Sequence, residues 1–164
     1  MSKEDIRVLE DVLTRDKDDW VKVRKEVEKR GIDVRSWRNM DGHTMLQLSV
    51  FQCHVDIVQY LLESRADPDG LGDGPRHQSP LVAAARNRSA NMVSRLLAFG
   101  AEPQRADGYG ETPLGAARAE CPNSARAVER PMPTPEEERR AWFTAGVEHA
   151  SRWNVLRLLE AASR

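Results

Sequence analysis

The sequence predicts an all-α fold, a solenoid of short helix–turn–helix units joined by hairpin-like turns. Three observations predict it. Segments beginning at Asp41, His77 and Gly108 align with one another, and a period of this length marks an array of stacked units. Their anchors Thr44, Ser79 and Thr112 lie 35 and 33 residues apart, and each is a residue type that caps a helix N-terminus. Behind the first two anchors a further apolar run keeps helical spacing: Val55, Ile57, Val58, Leu61, Leu62, and then Met92, Val93, Leu96, Leu97.

Taken in order, residues 3–30 predict two helices, one lined by Ile6, Leu9, Val12 and Leu13, the other by Trp20, Val23 and Val27. The hydroxyls of Thr44, Ser79 and Thr112 can each accept from the first free N–H groups of a helix. Thr44 has Gln47 three residues on, the spacing of a capping box. Pro80 and Pro113 follow their caps at a position where a missing N–H costs nothing. The helices begun there are rich in small residues, Ala83-Ala84-Ala85 and Ala116-Ala117, which permit close approach of neighbouring helices. Gly100 suits a helix end that needs a left-handed residue.

A 33-residue period with a Thr-Pro-Leu-His-x-Ala-like start resembles the ankyrin repeat. Gly31-Ile32-Asp33-Val34 is similar to the Gly-Ala-Asp-Val that closes such a unit, so the N-terminal helices form a degenerate first repeat. The resemblance implies one domain over 1–164 with about five units: 3–37 as an N-terminal cap, 38–70, 71–105, a degenerate 106–133, and 134–164 as a C-terminal cap. In the last of these, Phe143, Ala145 and Gly146 take the places of Leu46, Leu48 and Ser49, while Val155, Leu158 and Leu159 take those of Val58, Leu61 and Leu62. Four of the nine prolines cluster between Cys121 and Pro135. That stretch is either a shortened helix followed by a linker or one long insertion inside the last repeat. The sequence departs from the family at Met45 (for Pro), at Gln47, Val82 and Gly115 (for His), at His77 (where Gly42 and Gly110 stand in the sister units), and at Arg65 and Arg88 (for Gly). Each departure costs a few tenths to about 1 kcal/mol.

Composition narrows the function. Lys+Arg (25) and Asp+Glu (26) nearly cancel and are interspersed, which argues against a nucleic-acid binder or a polybasic membrane surface. No run approaches the about 18 apolar residues of a membrane span, and the first fifteen residues lack the apolar core of a secretory signal. With two cysteines, the expectation is a cytoplasmic protein whose thiols stay reduced. Cys53 and Cys121 share a repeat position two units apart, about 20 Å if layers stack at about 10 Å. A disulfide needs Cα atoms within about 7 Å.

Constellations for chemistry are weak. The GLGDG of 70–74 follows a repeat's end rather than a strand and lacks the Lys-Ser/Thr of a phosphate loop, so it is a turn. Asp67, Asp69 and Asp73 lack the closing Glu of a calcium loop. His43, His54, His77 and His149 are not at zinc-pair spacing. Nothing marks a nucleophile elbow. The expectation is no catalytic residue, no metal and no cofactor. Trp142, Phe143 and Trp153 belong to the closing unit's core, and Glu136–Arg140 to a solvated helix face.

The resemblance implies a concave face, built from hairpin tips and short-helix edges, that binds another protein. Carried over by register, it comprises Trp37, Met40, Asp41, His43, Phe51 and Gln52, then Arg76, Gln78, Arg86 and Asn87, then Tyr109, Glu111 and Glu120. Aromatic and Arg side chains are the types that become binding hot spots. Trp37 and Phe51 are either such exposed anchors or core residues packed on neighbouring helices. The implied function is a non-enzymatic interaction module, monomeric by itself. One alternative is a small ankyrin-type inhibitor or adaptor acting on a kinase or other enzyme. Another, of a different class, is an enzyme or ligand-binding protein with its site at the irregular 119–140 junction.

Overall fold

The computed structural model describes residues 7, 9, 11, 20–73, 77–119 and 147–164. Seven helices with stated bounds follow one another: α1 (Trp20–Arg30), α2 (Met45–Phe51), α3 (Val55–Glu63), α4 (Pro80–Arg86), α5 (Ala90–Ala98), α6 (Pro113–Ala119) and α7 (Val147–Ala162). They stand in two rows. The seven-residue helices α2, α4 and α6 form an inner row, α4 touching both others; α1, α3, α5 and α7 form an outer row of consecutive neighbours. Arg7, Leu9 and Asp11 are helical, and Leu9 is fully buried.

The inner helices begin where the caps predict. Thr44 Oγ1 accepts from Gln47 N at 3.0 Å, Ser79 Oγ from Val82 N at 3.1 Å and Thr112 Oγ1 from Gly115 N at 3.1 Å. Gln47 does more than close a capping box. Its Oε1 accepts from Thr44 N at 2.7 Å, and its Nε2 donates across to Gln78 O in the next unit at 2.7 Å. The side chain is fully buried, so these bonds replace water that it cannot reach.

The outer helices α1, α3 and α5 end in one repeated motif. The amides of Ile32, Ala66 and Ala101 reach back to the carbonyls of Val27, Leu61 and Leu96 at 3.0, 2.9 and 3.0 Å, with Gly31, Arg65 and Gly100 just before them at φ +60°, +63° and +91°. This is the six-to-one closure that needs a left-handed residue. Gly31 shows that α1 ends the same way, as expected of a degenerate first repeat. The turn from inner to outer helix also has a left-handed corner, Cys53 (φ 61°) after α2 and Arg88 (φ 54°) after α4.

The core runs continuously between the rows. It holds Trp37, Met45, Leu46, Ile57, Val58 and Leu61, then Leu81, Val82, Ala83–Ala85, Met92, Val93 and Leu96, then Ala116, Ala117, Val155, Leu156 and Leu159. Burying a Leu or Val side chain contributes about 1.5–3 kcal/mol. α7 packs on α5 and α6. Its register differs by one residue from the sequence alignment: Val155 and Leu159 are buried as expected, but Leu156 is buried and Leu158 only half-buried. Several expectations fall outside the described residues: Ile6, Val12, Leu13, Arg76, Glu120, Cys121, the 136–140 charge run, Trp142, Phe143, Ala145, Gly146 and the side chain of Trp153.

Two outcomes follow. A left-handed conformation costs an ordinary residue roughly 1–2 kcal/mol, of which glycine's extra unfolded freedom returns part. Arg65→Gly should therefore raise stability by about 0.5–1 kcal/mol, read as a higher urea midpoint; an unchanged or lower midpoint would contradict the corner strain. Gln47→Met keeps the volume and strands Thr44 N–H and Gln78 C=O, and should lower stability by about 1–3 kcal/mol in the same assay.

Candidate interaction face

Each inner helix is entered through a turn, and two of these turns are locked by the same device. Asn39 Oδ1 accepts from the amides of Asp41 and His43 at 3.1 and 2.8 Å, while Asn39 N donates to His43 O at 3.0 Å. Sixty-eight residues on, Asp107 Oδ1 accepts from Tyr109 N and Glu111 N at 2.8 and 3.0 Å, and Asp107 N donates to Glu111 O at 2.9 Å. Both side chains are buried. Gly42 (φ +83°) and Gly110 (φ +78°) complete the two hairpins. Arg38 and Thr44 form an isolated antiparallel bridge at the base of the first.

Successive tips are tied edge to edge. Asp73 N donates to Gly42 O at 2.8 Å, and Gly108 N donates to His77 O at 2.9 Å. Gly72 lies so close that a Cβ there would stand 2.4 Å from Gly42 O and 2.7 Å from His77 Nδ1. Gly72 thus serves a close backbone approach between units, whereas a Cβ at Gly70 would meet only Asp67 of its own turn. The amide of Asp73 is spent on that contact, a structural use unlike a phosphate cradle.

The expected face residues divide sharply. Met40 and Tyr109 project from the hairpin tips with 60% and 65% of their surface exposed, and Asp41 is exposed beside Met40. Gln52 and Asn87 are exposed at the C-caps of α2 and α4, and Asn87 Nδ2 donates to Val50 O at 3.1 Å, binding the two inner helices together. Two N–H groups of Arg86 converge on Glu111 Oε2, the Nε bond at 3.0 Å, linking α4 to the next hairpin. His43 is half-buried, its ring edge-on to both Phe51 (5.6 Å between centroids) and His77 (4.9 Å). Gln78 is half-buried and lends its carbonyl to Gln47.

Trp37 is a correction: it has no exposed surface and belongs to the core. The turn at 33–37 (Trp37 N to Asp33 O, 3.1 Å) carries it inward. An indole of this size contributes more buried there than standing in water. Phe51 is likewise only partly exposed, packed on the core and against His43. Asn39, Asp107 and the second bond of Gln47 escaped the sequence reading. Their signal was an Asn or Asp five residues before a capping Thr, with Gly between, at 39–44 and 107–112.

The amide of Arg35 and the Ser36 hydroxyl hold Asp33 below the usual range, and Arg30 does the same for Glu26. Partial burial pushes Asp69 up, although both its oxygens accept from Glu102 N (3.1 and 2.9 Å) in the next unit. Among the described residues no three His, Cys, Asp or Glu side chains gather as metal ligands, and no helix is long and apolar enough to cross a membrane. Cys53 is a free, exposed thiol whose Sγ lies 3.4 Å from Asn87 Nδ2. The 119–140 junction lies outside the described residues from 120 onward.

Comparison with known proteins agrees with this architecture. The family model described as Ankyrin repeat matches residues 41–72, the unit of α2 and α3. The chain is 34% identical over 115 residues to the E3 ubiquitin-protein ligase Ufd4 of Drosophila melanogaster, covering 70% of this chain and 4% of that protein. It is 34% identical over 86 residues to the palmitoyltransferase ZDHHC17 of Danio rerio, covering 52% of this chain and 14% of the relative. It is 37% identical over 79 residues to the fem-1 homolog A-like protein of Mus musculus, covering 48% and 12%. The chain thus spans only a small part of the relatives it matches. With the repeated caps, corners and two-row packing, these matches place the chain in the ankyrin-repeat family.

The carboxyls give a testable order. Asp33, with its folded pKa depressed, contributes stability that is present above the ordinary carboxylate range and lost as pH falls through its lowered pKa. Asp69 has the opposite sign: its raised pKa means that ionisation draws stability down as pH rises from the ordinary carboxylate range through that raised pKa. A ¹³C carboxyl NMR titration should find Asp69 titrating at higher pH than Asp33, and the reverse order would contradict the environments described.

Proposed function

We propose that the chain is a non-catalytic binding module whose hairpin tips and inner-helix edges dock another protein. Ankyrin repeats are generally protein-binding modules, and the relatives named for palmitoyl transfer and ubiquitin ligation are matched over a small fraction of their length. The observation that carries the reading is the exposure of Met40 and Tyr109 on turns whose backbones are locked by Asn39 and Asp107. Large apolar side chains held out in water on a preorganised backbone lose little freedom on binding. The Arg86–Glu111 pair and the amides of Gln52 and Asn87 supply the polar surround.

Met40→Ser with Tyr109→Ser should reduce capture of partner proteins from the native cell by about tenfold or more, as expected for anchor residues. The control is Val21→Ser on α1, an exposed apolar residue of the outer row. Thermal unfolding should be unchanged in both. Equal recovery of the same partners by the tip variant and the parent would overturn the proposal.

A further inference from the structure

We propose that α7 is the outer helix of the fourth repeat, parted from its inner helix α6 by an insertion, so that the array has four repeats. In the second and third units an inner helix packs on the outer helix that follows it, α2 on α3 and α4 on α5, and each outer helix packs on the next. α7 makes the same pair of contacts, with α6 and with α5. The outer helix of a fifth unit would stand a layer further on, about 20 Å from α5, where packed helices are about 8–10 Å apart.

Burial fixes the register independently. Ile57, Val58 and Leu61 are buried behind exposed Asp56; Met92, Val93 and Leu96 are buried behind exposed Asn91; Val155, Leu156 and Leu159 are buried behind exposed Asn154. In this register Trp153 stands where Val55 and Ala90 begin α3 and α5. Polar bonds agree: Arg118 Nη2 meets Glu160 Oε1 at 3.2 Å between α6 and α7, and Gln104 Nε2 donates to Ser163 O at 3.0 Å from the turn after α5.

The earlier units join inner to outer helix with three residues, Gln52-Cys53-His54 and Asn87-Arg88-Ser89, the middle one left-handed. In the fourth unit residues 120–146 stand between α6 and α7, and residues 147–152 extend α7 ahead of Trp153, the position that begins α3 and α5. Because three residues make the same connection in the earlier units, the proposal makes residues 120–152 dispensable to the fold, and the division into units at 106–133 and 134–164 gives way to one split unit.

Two experiments test this. In the full chain with Cys53→Ser and Cys121→Ser, spin labels on Ala98→Cys and Ala161→Cys occupy equivalent exposed positions of α5 and α7. Their dipolar coupling should report neighbouring helices; a separation of two layers overturns the placement of α7. Replacing residues 120–152 with Asn-Gly-Asp should leave one cooperative unfolding transition with a urea midpoint no lower than the parent's. A shortened chain that does not fold, beside labels that report neighbouring helices, overturns the dispensability of the segment.

Discussion

No helix pair in this chain can close its own apolar surface. Each inner helix is seven residues long and its outer partner α3 or α5 only nine, too short to be stable alone in water. α3 packs on α5 and α2 on α4 of the adjoining unit, and Val58 and Val93 are buried in the core they form together. Everything else follows from that dependence: equal corners so that layers superpose, small residues in α4 so that inner helices approach, and polar bonds such as Gln47 to Gln78 where two layers meet. Stability in such an array sums from units and nearest-neighbour interfaces.

Much of this was legible because it is local. A hydroxyl before a helix, a proline at its first position and an apolar residue every three or four act within a few residues, and Thr44, Ser79 and Thr112 begin equivalent helices. The closing helix is legible in the same way, but its packing register differs by one residue from the alignment. Leu156, Leu158 and Leu159 are all leucine, and only packing on α5 and α6 decides which two turn inward.

The face was less legible, because exposure belongs to the assembled layers. Trp37 is adjacent in sequence to the first hairpin yet fully buried in the core. Arg86 and Glu111, each expected to greet a partner, are 25 residues apart in sequence and close on each other. Met40 and Tyr109 remain outward because the tip turns spend their polar groups on themselves.

The amide-to-carbonyl ties between Gly42 and Asp73 and between His77 and Gly108 have a metric consequence. They hold neighbouring tips at one layer's pitch, so the methionine and the tyrosine stand two pitches apart, roughly 20 Å. An extended polypeptide advances about 3.3 Å per residue, and some six residues match that gap. The array is thereby a ruler: its two teeth stand further apart than a small molecule reaches and at a distance that a strand or a broad surface spans.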